Sequence, residues 1–118
     1  MSETYIFDNV DRYLELGRKF YSPSLYLGVG LQPYWMEAAA YVPMAEDAPA
    51  LTEEDTTALV NSCTTDEQRQ QLMTEGVIDF LADSPSGKYH AYIYKQEVGY
   101  LLILLMLNVD SFLKQGID

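Results

Sequence analysis

Residues 98–115 read VGYLLILLMLNVDSFLKQ, and the first ten of them, Val98 to Leu107, carry no charged side chain. The chain around this run holds eighteen acids against seven bases, a formal charge of −11 over 118 residues. Such a run has three readings: a membrane span, a core helix, or a surface that meets another copy. Length decides first. A spanning helix needs about 20 mostly apolar residues, and runs of about 10 to 14 are commoner in cores. Glu97 and Asp110 bracket twelve positions, too few to span. Within them Val98, Leu101, Leu102, Leu105 and Val109 repeat at helical spacing, while Tyr100, Ile103, Leu104 and Leu107 fill the opposite side. A helix that is apolar all round must be surrounded. The run therefore predicts a central C-terminal helix stopped near Gly116. Where the other helices fail to wrap it, Tyr100, Ile103, Leu104 and Leu107 become a candidate homodimer interface.

The segments before it supply the wrapping. Ile6, Phe7, Val10, Tyr13, Leu14 and Gly17 form one stripe opposite Asp8, Asp11, Arg12 and Glu15, which predicts a helix capped at Ser2 or Thr4 and stopped near Tyr21. Pro33 followed by YWMEAAAY predicts a second helix, closed before Pro43. Thr52 ahead of Glu53, Glu54 and Asp55 marks a third, with acids where the helix dipole favours them. Thr65 and Gln68 have capping-box spacing, and Leu72, Met73, Val77, Phe80 and Leu81 carry that helix on to about Asp83. Residues 25–31 and 88–94 alternate with a period of two and suit one short β-hairpin. The expected fold is a single mainly α domain, residues 1–118, of four to five helices, with α+β as the alternative.

The charge is uneven. From Glu37 to Asp83 there are eleven acids and one base, Arg69, a local charge of −10; the rest of the chain sums to −1. All ten tyrosines lie outside residues 42–88. If the fourth helix persists, Glu75, Asp79 and Asp83 form a row with a rise of about 6 Å per step. Like charges at this spacing weaken a helix, so the row points to a contact surface. Glu46, Asp47, Glu53, Glu54, Asp55, Glu75, Asp79 and Asp83 are the candidate partner-binding residues.

Catalytic patterns are lacking. His90 is the sole histidine and Cys63 the sole cysteine, which excludes multi-His zinc sites and any internal disulfide. GVGLQP has Pro33 where the dinucleotide fingerprint needs a third glycine. Neither EED nor AED has the spacing of a calcium loop. The opening residues do not follow the order of a signal peptide. The expectation is a cytoplasmic non-enzyme with no cofactor, no metal, no membrane segment and no direct contact with nucleic acid, which its charge repels. Its partner would be a basic protein such as a nuclease. The leading function is then an acidic inhibitor, by nucleic-acid mimicry, of the anti-restriction, anti-CRISPR or toxin-immunity type. The alternative is a helical assembly or chaperone subunit that works through the apolar C-terminal helix.

Overall fold

The computed structural model describes residues 7–19, 24–37, 40–44 and 48–107. Along the chain run α1 (Val10–Lys19), β1 (Ser24–Gly28), β2 (Tyr34–Glu37), β3 (Ala40–Pro43), α2 (Glu53–Cys63), α3 (Asp66–Glu75), β4 (Val77–Ser84), β5 (Gly87–Lys95) and β6 (Tyr100–Met106). Among the described residues the six strands make one antiparallel sheet in the order β3-β2-β1-β6-β5-β4. The fold is therefore α+β, and the mainly α expectation is corrected.

Three corrections carry physical reasons. Tyr100–Met106 is a strand in the middle of the sheet, hydrogen-bonded to β1 on one side and β5 on the other. Gly99, with φ +72°, turns the chain into it. A short continuous apolar run cannot be told from a helix by periodicity when both faces of a central strand are apolar. Residues 108–115 of the expected helix lie outside the described residues. The second expected helix is instead the β2–β3 hairpin, where aromatic Tyr34 and Trp35 suit a pleated surface. The fourth helix stops at Glu75 because Gly76 takes the left-handed conformation and donates its N–H to the Leu72 carbonyl at 2.8 Å. Val77 and Ile78 then open β4. Residues 24–28 and 87–95 are strands, yet they do not pair with each other; β6 lies between them.

The starts of α2 and α3 close as capping boxes. Thr52 Oγ1 accepts from the Asp55 N–H at 3.1 Å while Asp55 Oδ2 accepts from the Thr52 N–H at 2.8 Å. Thr65 and Gln68 repeat the exchange at 3.1 and 2.9 Å. Each cap is worth about 1 kcal/mol.

One face of the sheet is covered. Leu25, Leu27, Ile93, Leu102 and Leu104 point inward against Tyr13 and Leu14 of α1, Leu59 and Val60 of α2, and Leu72 of α3. Gly17 lets α1 approach β1 closely: a Cβ there would stand 3.1 Å from Leu25 Cδ1. Among the described residues, no helix is long and apolar enough to cross a membrane.

Three late-ionising groups sit at the covered face. Burial pushes the Cys63 thiol up from 9 to about 12, Asp11 adding to the shift and Arg69 opposing it. Burial likewise lifts Tyr13 from 10 to about 12, against the Phe7 N–H that its hydroxyl oxygen accepts at 3.1 Å. Tyr89 is raised for the same first reason. The folded state thus holds these protons more tightly than the unfolded chain. Their stabilising effect is complete below about pH 9 and is lost as pH climbs toward 12. Urea midpoints are expected to hold steady from about pH 7 to 9 and fall above it; a level profile up to about pH 11 would contradict the burial of these groups.

Candidate functional site

The other face of the sheet has no helix over it among the described residues. Strand alternation fixes which side chains it carries. Across the middle, Asp79 on β4 is followed by Tyr92 on β5, Ile103 on β6, Tyr26 on β1 and Tyr34 on β2. One row toward the β4–β5 turn come Leu81, His90 and Leu105. At the opposite end come Val77, Tyr94, Leu101 and Gly28. Aromatic rings tile the face: Tyr26 and Tyr34 stack at 5.1 Å between centroids, and His90 and Tyr92 at 4.3 Å. His90 Nε2 lies 3.7 Å from Asp79 Oδ1 and is without a hydrogen-bond partner. Apolar and aromatic side chains thus dominate a surface that the covering helices leave untouched.

At the Val77–Gly28 end the face is indented. Two loops, Gly28–Leu31 and Gln96–Val98, together with Leu101, enclose a cleft of about 460 Å³. Gly28 forms its floor because it has no side chain. A Cβ there would meet Leu101 Cδ1 at 3.0 Å and Leu31 Cδ1 at 3.3 Å.

The described candidate acids fall on three different elements. Glu53 and Glu54 are exposed at the start of α2, whereas the Asp55 carboxylate is engaged in the Thr52 cap. Glu75 ends α3, and Asp79 and Asp83 sit on β4, so the expected helical row does not exist. Asp83 pairs with Lys88 at 3.0 Å, and Asp66 with Arg69. Glu46 and Asp47 lie outside the described residues. Of the apolar candidates, Leu104 is fully buried in the core, and the Tyr100 N–H donates to Thr56 Oγ1 at 3.1 Å. Ile103 and Leu107 fall on the open side. Nothing in the sequence marks Leu31, Val98 or Leu101 as a site, and Gly28 and Gly30 belong to GVGLQP, which does not complete a dinucleotide fingerprint. Among the described residues no group of three His, Cys, Asp or Glu side chains is placed to hold a metal ion.

No protein-family model matches the chain, and no curated protein matches it in sequence. Solved structures match its fold. The pilus retraction motor PilT, crystallised with bound ADP, matches 84% of this chain with a TM-score of 0.74 at 23% identity. The ATPase DotB of Legionella pneumophila matches 82% with a TM-score of 0.63 at 16% identity. The matching region is 29% of the PilT chain and 28% of the DotB chain, so this chain spans less than a third of either protein. At such identities the likeness is one of fold.

These findings overturn the acidic-inhibitor reading. The fold resembles a portion of PilT and of DotB, and the described candidate carboxylates lie on α2, α3 and β4 and not in one helical row, Asp55 being tied in a cap and Asp83 in an ion pair. The helical-assembly alternative loses the helix it required, since residues 100–106 are a strand.

Proposed function

We propose that the chain is a docking module of a motor-ATPase type of assembly: it presents its open sheet face to a motor subunit and carries no nucleotide chemistry itself. The observation that carries this reading is the uncovered face, where Tyr26, Tyr34, Tyr92, Ile103 and Leu105 lie side by side. Contiguous apolar surface of this kind marks contact sites more often than solvent faces. Tyrosine suits such a role, offering apolar area with a polar tip. The fold likeness to PilT and DotB supports the choice of partner class. The sequence supports the division of labour. It holds no Gly-x-x-x-x-Gly-Lys-Ser/Thr phosphate loop; its one Gly-Lys pair, Gly87–Lys88, is followed by Tyr89 and opens β5.

The chain mixed with the purified motor ATPase of its own cell is expected to co-elute with it in size-exclusion chromatography. Ile103→Glu, which sets a carboxylate in the centre of the face, is expected to abolish co-elution and to keep the native circular-dichroism spectrum. Absence of co-elution for the parent chain, or co-elution indifferent to Ile103→Glu, overturns the proposal.

A further inference from the structure

The indented end of the open face is held in shape before any partner arrives. On one wall, the Gly30 N–H donates to the Leu51 carbonyl at 2.8 Å and the Leu51 N–H to the Leu31 carbonyl at 2.9 Å. On the other, the Gln96 N–H donates to the Gly99 carbonyl at 3.0 Å, and Thr56 takes the Tyr100 N–H just beyond the turn. Two apolar side chains nevertheless stay open to water at the rim, Leu31 at 38% and Val98 at 50%. Pinned walls with wetted apolar rims make a socket whose filling costs little ordering entropy. The volume falls in the range of small-molecule pockets, but those enclose most of their ligand and offer several converging polar groups. Here the rim is exposed and the sole ionisable lining group is Glu97.

The surrounding charge selects what fits. Gly99 packs against the Glu53 backbone, where α2 begins, and the Lys95 N–H donates to Gly76, where α3 ends. Glu53 and Glu54 open α2, Glu75 closes α3 and Glu97 follows β5, so four acids sit at the ends of elements that meet at this end of the sheet, and Lys95 adds a base there. A second copy of a chain of charge −11 would be repelled.

We propose that the cleft anchors a cationic amphipathic segment of the partner, which inserts one large apolar side chain between Leu31 and Val98 and sets a Lys or Arg against Glu97. This deepens the docking reading and rests on it. The test uses a fluorescein-labelled fifteen-residue helix-forming peptide of leucine and lysine, leucines spaced for one face, with a leucine–glutamate peptide beside it. Fluorescence anisotropy is expected to show binding of the lysine peptide alone. The double variant Leu31→Ser, Val98→Ser is expected to weaken it by about tenfold or more, and Glu97→Gln by about threefold. Leu81→Ser with Leu107→Ser, an equal loss of apolar surface elsewhere on the face, is expected to stay within about twofold of the parent. Binding of both peptides alike, or equal losses in the two double variants, overturns the proposal. If the motor still binds through Ile103 in that event, the docking face stands and the anchor alone is wrong; if neither binds, both are.

Discussion

A chain carrying Leu104→Glu is expected not to fold, whereas Leu107→Glu folds as the parent does. The two leucines stand three positions apart in one apolar run, yet Leu104 exposes none of its surface and Leu107 41%. Leu104 occupies the middle of β6, opposite Leu25 on one side and Ala91 on the other, on the face that the helices cover. Deleting its side chain to alanine would by itself cost about 2 to 5 kcal/mol. A carboxylate left in its place has no counter-charge among the core residues and adds the penalty of an unpaired buried ion. A domain of this size has about 5 to 15 kcal/mol of stability in total, so the sum removes most or all of it. Leu107 has no such environment, and its replacement should stay within about 0.5 kcal/mol. Circular dichroism with urea unfolding separates the two. A cooperative transition in Leu104→Glu would refute the inward placement of that strand face.

The second large effect belongs to Gly99→Ala. At φ +72° a side chain is strained in any surroundings, by about 1 to 2 kcal/mol. Space makes it worse: the added Cβ would stand 2.5 Å from Val29 Cγ2 and 2.7 Å from Thr56 Oγ1. Thr56 is fully buried and accepts the Tyr100 N–H, so pushing it aside strands a buried donor. A total of about 2 to 4 kcal/mol is expected. Gly76→Ala is the internal control. It shares a positive φ of 81° but has nothing within 4 Å of its Cβ, which leaves the conformational cost of about 1 kcal/mol alone. Urea midpoints ranking Gly76→Ala below the parent and Gly99→Ala well below both confirm the tight packing of the turn. Equal losses would refute it. Because the added Cβ would push on Val29, which lines the cleft, Gly99→Ala should also weaken the lysine peptide.

Much of the helical content could be read from single residues. The stripe through Val10, Tyr13, Leu14 and Gly17 is the buried side of α1, and Thr52 and Thr65 are N-caps. The alternation in KYHAYIYK is that of β5. The misreadings share one cause. Periodicity reports which sides of an element are apolar, and β6 is apolar on both because one side meets helices and the other is the open face. Leu101, Ile103 and Leu105 look like core in sequence for that reason. Gly76 was a legible signal for the end of α3, with two β-branched residues after it, but the acids at Glu75, Asp79 and Asp83 suggested a continuing helix. The cleft was not legible at all. It depends on Gly28, Leu31, Val98 and Leu101 being brought together by pairing β1 with β6, residues some seventy positions apart in the chain.

That same pairing has a bearing on how the polypeptide matures. The early hairpin strands and the β4–β5 ribbon are joined only through β6, which inserts between them. A nascent chain whose synthesis has reached Lys95 holds two ribbons with nothing to zip them together. Ser24 must then wait for Leu105 to clear the ribosomal tunnel before its edge is satisfied. Such long-range closure slows folding, so during translation the unjoined edges are open to chaperones and to proteases.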